Sequence, residues 1–319
     1  MGVRDAVYVW RYVLKSRARL NAVSGRREFE GALLRIGGGF GCLHPWPELG
    51  DPPLEQLLGE VREGKVVSGM ARQAVAMASM DERWRGKGQS MFEQVAQWIP
   101  ESHATLPECT MNAVKEAVDR GFAVIKVKGG RDFPVLTQLM DRISSEWPHL
   151  RWRIDFNEVL TKEESIDFAK RMPQRLWRCI DFLEDPCPWQ RSDWEEIRQV
   201  TGLALALDRK AEEGNGSADV LVLKPARHEP PPAPDGEQCL VITSNMDHPL
   251  GQCFAGWWAG HLVSRGSRVE TCGLQTHELF APTEFSDRLG RAEPRFRGPG
   301  GTGLGFDDLL EKLPWKRLS

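Results

Sequence analysis

The chain has 319 residues, 41% of them hydrophobic, enough for one large domain with a smaller companion and a sizeable core. Its 42 basic and 45 acidic residues leave a net charge of −3, without the basic excess of a general nucleic-acid binder, so the expected partner is a small molecule and not nucleic acid. Seven cysteines, at 42, 109, 179, 187, 239, 253 and 272, form no Cys-x-x-Cys pair, which points away from a zinc site or a disulfide framework and toward a cytoplasmic protein. Arg4, Asp5, Arg11, Lys15 and Arg17 interrupt the N-terminal apolar residues, and Glu28 and Glu30 follow Arg26-Arg27, so no signal core is expected. The apolar stretch 251–263 is too short to cross a bilayer, so no membrane segment is expected either. No pattern in the sequence signals an oligomeric state.

In chain order, residues 1 to about 40 read as an antiparallel meander of short β-rich runs around a linker at 20–30. Gly37-Gly38-Gly39 is followed by neither Gly-Lys-Ser/Thr nor a helix, which predicts a turn or bulge rather than a phosphate cradle. Residues 54–61 and 66–80 have helical spacing, with small residues at Ala71, Ala74, Ala76 and Ala78, and two or three packed helices are predicted up to about residue 98. Thr110 to Arg120 is an amphipathic helix stopped by Gly121, and a strand begins at 122. Helices follow over 134–146, over 162–171 with Thr161 and Glu164 as a capping box, and over 192–200 with Asp193 and Glu195 in the first turn.

The rhythm then shortens. Residues 210–218 carry two glycines, and the proline-rich run at 228–237 cannot be helical, so at least one outer helix is reduced to a loop. A strand at 241–244 leads to a helix over 249–264, whose Trp257 and Trp258 are expected to pack on the sheet rather than on a ligand. Beyond about 284 the chain is rich in Arg, Pro and Gly. Gly301-x-Gly303-x-Gly305 lacks the strand and spacing of a dinucleotide loop and reads as a connection to a last helix at 306–313, packed back on the N-terminal domain.

The chemistry is concentrated at strand ends. The apolar run Phe122-Ala-Val-Ile-Lys-Val-Lys closes on two lysines, and alternation puts Lys126 and Lys128 on one face with Val124. Such a pair requires either a solvated edge or a partner. Asp155 with Asn157, then Glu184, Asp208 and Lys224, end later apolar runs in the same way, at steps of 29, 29, 24 and 16 residues counted from Lys126. Most steps accommodate one strand, one helix and two loops, so successive strands bring one charge each to a common rim, as in a parallel barrel. Any one of these carboxylates alone would read as a helix cap or an ion-pair partner. Asp155, Glu184 and Asp208 in one pocket could not all stay ionised without a cation, and an all-oxygen set selects a hard ion such as Mg²⁺.

Lys126-x-Lys128, Asp155-x-Asn157, Leu183-Glu184-Asp185-Pro186, Asp208 and Lys224-Pro225 together resemble the enolase superfamily over nearly the whole chain, and within it the o-succinylbenzoate synthases of menaquinone biosynthesis. The resemblance implies an α/β fold, a modified eight-stranded (β/α) barrel with an α+β capping domain. Residues 1–98, completed by 296–319, would form the cap, and 99–295 the barrel. It also implies Mg²⁺, with Mn²⁺ as a substitute, on Asp155, Glu184 and Asp208, and a small-molecule carboxylate as substrate. Lys128 would be the base, Lys126 a charge stabiliser at the carboxylate and Lys224 a cation on the opposite face, with Asn157, Ser244 and Asn245 as substrate-binding residues. The implied reaction is a hydro-lyase step, dehydration of 2-succinyl-6-hydroxy-2,4-cyclohexadiene-1-carboxylate through an enediolate. A racemase of N-acylamino acids or an epimerase of dipeptides would use the same plan, and a ligand-binding protein could keep the fold without the chemistry. The chain departs from the family pattern at Arg209, in the short interval before Lys224 and in the proline run at 230–234.

Overall fold

The computed structural model describes residues 6–20, 24–211, 218–229 and 239–319. The loop expected at 210–218 falls mostly outside these residues, and the proline run at 230–234 entirely.

Strand β1 (Val7–Lys15) pairs antiparallel along its length with β2 (Glu28–Ile36), which turns through Gly37-Gly38 into β3 (Gly39–Leu43). Gly37 adopts a φ of +58°, which a tight hairpin requires and glycine supplies. Helices α1 (Leu54–Glu63) and α2 (Gly69–Arg85) cover this sheet. A Cβ on Gly39 would lie 2.0 Å from the Ala78 carbonyl, and one on Gly41 2.1 Å from that of Ala74, so glycines below and alanines above let α2 lie directly on β3. The expected turn is therefore also a helix seat. Helix α2 begins at Gly69 rather than at 66 because the Glu60 carboxylate accepts from the backbone N–H groups of Val67 and Ser68, both at 2.8 Å.

The second sheet is parallel. It comprises β4 (Ala104–Leu106), α3 (Met111–Asp119), β5 (Val124–Lys128), α4 (Phe133–Glu146), β6 (Arg151–Asp155), α5 (Lys162–Arg171), α6 (Gln174–Cys179), β7 (Ile180–Glu184), α7 (Arg191–Thr201), β8 (Leu205–Leu207), β9 (Val220–Leu223), β10 (Cys239–Ile242) and α8 (Pro249–Ser264), with its strands hydrogen-bonded in sequence order. Thr110 caps α3, and the Thr161–Glu164 capping box opens α5. The short helix α6 was not legible in the apolar periodicity.

Among the described residues this sheet has seven strands, not the eight expected. Residues 268–273 take the eighth position as irregular chain. On one side they bond to β10 and its extension, through Glu270 N–H to Leu240 O and Gly273 N–H to Ile242 O, both at 2.9 Å. On the other, His103 N–H reaches Cys272 O and Cys272 N–H reaches Glu101 O, both at 2.7 Å. The ring is thus closed by isolated bridges rather than by a regular ladder.

Alternation divides the strand residues cleanly. Phe182, Ala206, Val220, Val222, Cys239 and Val241 form a separate buried cluster inside the ring, while Ile125, Ile154, Leu183, Leu207, Leu223 and Ile242 join the main core beneath the helices. Trp257 is buried on α8 and Trp258 is packed against the same core, as expected.

The tail returns to the first sheet. Helix α9 (Glu284–Leu289), α10 (Asp307–Glu311) and β11 (Lys316–Arg317) follow in order, and β11 pairs antiparallel with β1. Between α9 and α10, Gly301, Gly303 and Gly305 all have positive φ. Their loop is clamped by α2: buried Asp81 accepts from the N–H groups of Leu304 at 2.6 Å and Phe40 at 3.0 Å, and Arg85 donates to Gly305 O at 2.7 Å and Asp307 at 2.8 Å. A Cβ on Gly303 would stand 2.1 Å from Asp81 Oδ1 at a φ of +55°. Gly303→Ala should therefore lower the melting temperature by several degrees, in line with a cost of about 1–3 kcal/mol for strain and a displaced buried carboxylate. Gly300→Ala, whose Cβ meets nothing within 4 Å, should leave it unchanged. Thermal unfolding of the two variants checks this.

Candidate active site

Each inward row of the ring ends in a polar group. Above Phe182 stands Glu184, above Ala206 Asp208, above Val222 Lys224 and above Val241 Thr243, while Lys128 pairs in register with Asp155 and Asp155 with Glu184. The groups border a cavity of about 280 Å³, lined among others by Lys126, Lys128, Asp155, Asn157, Asp208, Lys224, Ser244 and Asn245.

Lysines hold the carboxylates. The Lys126 ammonium lies 2.7 Å from Glu184 and 2.9 Å from Asp155, and Lys128 donates to Asp155 at 2.7 Å and to Asn157 Oδ1 at 3.0 Å. Lys224 pairs with Asp208. Eight of the nine side chains expected at the site are thus cavity-lining, and Glu184 touches it through Lys126. Asn245 has both ends of its amide engaged, donating to His44 O and accepting from Arg227 Nε, each at 2.8 Å, and Ser244 shares a 2.8 Å bond with Thr276.

Burial and mutual repulsion set the proton affinities. Burial raises Glu184 first; Lys126 opposes this, but Asp155 and Asp208 add to it, and its pKa is pushed up to about 7. Burial also raises Asp185 well above the usual carboxylate range, with Asp208, Glu184 and Asp155 reinforcing it. At Asp155 the burial effect is outweighed by Lys126 and Lys128, and at Asp208 by Lys224 and Lys126, so both lie below the usual range. Burial would lower Lys126, yet Asp155, Glu184 and Asp208 together raise it.

The backbone is strained at the same rim: Asn157, Glu158, Asp185 and Met246 all have φ between 40° and 62°. Asp185 accepts from the N–H groups of Asp208 at 3.1 Å and Arg209 at 3.2 Å, which fixes the carboxyl end of β8. Arg209, which follows Asp208, points its guanidinium to Glu158 at 2.8 Å.

Among the described residues no three acidic side chains converge on one point as metal ligands do, because ammonium groups stand between them. The donor set nevertheless fits a hard divalent cation. It is all oxygen, it comes from three adjacent strands, and burial together with Asp155 and Asp208 raises Glu184, a cost that a cation would reduce.

Segments that follow β1 and β3 line the cavity as well, through Leu20, Trp46 and Leu49. Trp46 Nε1 donates to Asn245 O at 2.9 Å, its N–H to Asp51 at 2.7 Å, and Arg227 pairs with Asp51. His103, Thr105, Thr243 and Arg227 also line the cavity and were not anticipated. Continuing the alternation of β10 from 239 and 241 would have found Thr243.

The comparisons with known proteins agree with this geometry. Residues 7–84 match the o-succinylbenzoate synthase N-terminal domain family, and residues 110–221 match the enolase C-terminal domain-like family. An o-succinylbenzoate synthase of Bdellovibrio bacteriovorus is 31% identical, covering 96% of this chain and 97% of the relative. Among solved structures, the L-Ala-D/L-Glu epimerase of Bacillus subtilis superposes with a TM-score of 0.75 at 14% identity, covering 96% of this chain and 98% of that one. A magnesium complex of an enolase-superfamily member from Roseovarius nubinhibens superposes with a TM-score of 0.72 at 16% identity, covering 99% and 98%. The chain belongs to the enolase superfamily of enzymes, and within it resembles the o-succinylbenzoate synthases.

Where the loop after β10 meets the first sheet, Asp247 is buried against Gly251, and neither carboxylate oxygen has a hydrogen-bond partner among the described residues. Burial pushes its pKa up to about 7, offset only in part by amides of its own loop and by Arg227. The folded state thus keeps this proton to higher pH than the unfolded chain, whose aspartates release it near 3.9. The stability associated with the neutral acid is complete below that value and is lost as pH rises through about 7. Asp247→Asn should therefore leave the melting temperature unchanged near pH 4 and raise it by several degrees at pH 8; an equal effect at both pH values would refute a buried neutral acid.

Proposed function

We propose that the chain is an o-succinylbenzoate synthase, dehydrating 2-succinyl-6-hydroxy-2,4-cyclohexadiene-1-carboxylate in menaquinone biosynthesis in the cytoplasm, with residues 1–98 and 296–319 as the cap and 99–295 as the barrel. The observation that carries this over other reactions of the superfamily is the family match of residues 7–84. That segment supplies Trp46 and Leu49 to the cavity, where they would discriminate substrates.

Asp155, Glu184 and Asp208 would hold Mg²⁺, or Mn²⁺ in its place. Bound there, the ion would neutralise the charge that builds on the substrate carboxylate as the adjacent carbon loses its proton. Lys126, fixed between Asp155 and Glu184, adds a second positive charge at that carboxylate. Lys128 in its neutral form takes the proton from the carbon next to the carboxylate, and the electron pair of the C–H bond passes into an enediolate. When that collapses, the neighbouring C–O bond breaks. The Lys128 ammonium gives its proton to the departing hydroxide, water leaves and the ring becomes aromatic. Lys224, on the far side of the ring of strands, presents a cation to the opposite face of the substrate. Asn157 keeps Lys128 oriented through its 3.0 Å bond, and Ser244 and Asn245 border the space for the succinyl chain.

Glu184→Gln, or exhaustive chelation, should abolish turnover without unfolding the protein, and Mg²⁺ should restore the chelated enzyme. Circular dichroism beside the rate assay checks this, and full activity after chelation would defeat the metal reading.

The placement of Lys128 at the end of β5 and Lys224 just past β9 also suits a racemase of N-acylated amino acids or a dipeptide epimerase, which needs a proton carrier on each face. The two are told apart by the ultraviolet loss of the cyclohexadiene acid and by α-proton exchange of N-succinyl amino acids and dipeptides in D₂O. The expected outcome is fast dehydration with slow or no exchange. Lys128→Ala should reduce dehydration by roughly 10²- to 10⁴-fold or more. Lys224→Arg retains the cation but has no accessible neutral form, and should spare measurable dehydration. Fast exchange without consumption of the diene would favour the racemase.

A further inference from the structure

The ring of strands has a side that the proposed mechanism does not use. Carboxylates stand at the carboxyl ends of β6 to β8 and lysines at those of the flanking β5 and β9, which leaves the arc formed by β10, residues 268–273 and β4. A substrate whose carboxylate sits at β6 to β8, with its ring between Lys128 and Lys224, directs its remaining side chain toward this arc or toward the cap. The arc presents Thr105, Thr243 and Gly273, with His103 beside them.

His103 is buried, and its Nδ1 lies 3.0 Å from Nη1 of Arg153. A guanidinium can only donate, so Nδ1 is the acceptor. Arg153 cannot turn away. It is itself buried, its Nε donates to Asp181 at 2.7 Å and its Nη1 to Thr271 O at 2.6 Å, and its guanidinium lies 4.5 Å over the Phe182 ring. Burial, Arg153 and Lys126 all hold the imidazole well below its ordinary pKa, so it is neutral and its one proton is on Nε2. That edge faces Gly273: a Cβ there would lie 2.8 Å from both Cε1 and Nε2 of His103 and 2.8 Å from the Thr243 methyl. The absence of a side chain at 273 is what leaves the imidazole edge on the cavity. The adjacent Thr243 hydroxyl is buried without a hydrogen-bond partner among the described residues.

We propose that His103 is a substrate-binding residue whose Nε2–H donates to an oxygen of the substrate's succinyl side chain, with Arg153 as the positioning residue that fixes the tautomer. The assignment rests on the dehydration reading for the identity of that side chain. The tautomer does not depend on it.

The test uses the full-length protein. In the ¹⁵N spectrum of histidine-labelled wild type, His103, identified by its loss in a substituted variant, should show a protonated Nε2 and a bare Nδ1, and o-succinylbenzoate should shift the Nε2–H signal. His103→Asn keeps an acceptor for Arg153 but loses the far donor, and should raise KM for the diene about tenfold or more with kcat little changed. His103→Gln, which puts an amide near the Nε2 position, should recover part of that loss. A proton on Nδ1, no shift with o-succinylbenzoate, or an unchanged KM in a folded His103→Asn protein would overturn the proposal. If His103→Asn does not fold, the wild-type spectrum decides. Absence of diene turnover by the wild type would instead overturn the dehydration reading.

Discussion

The structure depends on pairing opposite charges that have been taken out of water. Four carboxylates, at 155, 184, 185 and 208, are buried at the carboxyl ends of three neighbouring strands, and isolated carboxylates cannot stay ionised there. Lys126 and Lys128 enter from one side and Lys224 from the other, so the acids are bracketed rather than isolated. Even so, Glu184 is pushed up to about 7, first by burial and then by Asp155 and Asp208, which Lys126 and Lys224 offset only in part.

The interior below that layer is asymmetric. From β7 to β10 it is plain apolar packing by Phe182, Ala206, Val220, Val222, Cys239 and Val241. Beneath Asp155 on β6 it contains the Arg153 guanidinium, stacked over Phe182 and bonded to Asp181, His103 and the Thr271 carbonyl. A buried arginine held by three hydrogen bonds rigidifies its surroundings. It ties β6 to β7, to the chain just before β4 and to the irregular eighth segment, where regular ladder pairing is missing.

The first sheet is joined to the second through a few long-range polar contacts. Asn245 is the centre of these: it receives Trp46 at its carbonyl, gives its amide to His44 O and accepts from Arg227, which in turn holds Asp51. The same segment, 44–51, lines the cavity, so packing of the cap and shape of the binding site are one property. A substitution that loosens the junction would also reshape the cavity roof.

Much of the candidate site was legible in the sequence because it follows local rules. Period-two alternation placed Lys126 and Lys128 on one face, the repeated apolar run closed by a charge selected Asp155, Glu184, Asp208 and Lys224, and the Thr161–Glu164 box is complete within four residues. Helix α6, strand β11 and the irregular eighth segment were not legible, since each is short and exists through partners elsewhere in the chain. The bond from Asn245 to His44 spans 201 residues and that from Arg153 to His103 spans 50, and no local pattern encodes such pairings. The sequence by itself determined which residues carry charge to the rim, because strand geometry is periodic. Which charges pair, which imidazole nitrogen keeps its proton and how the cap covers the cavity were decided only in the tertiary structure, because burial and long-range contact set those energies.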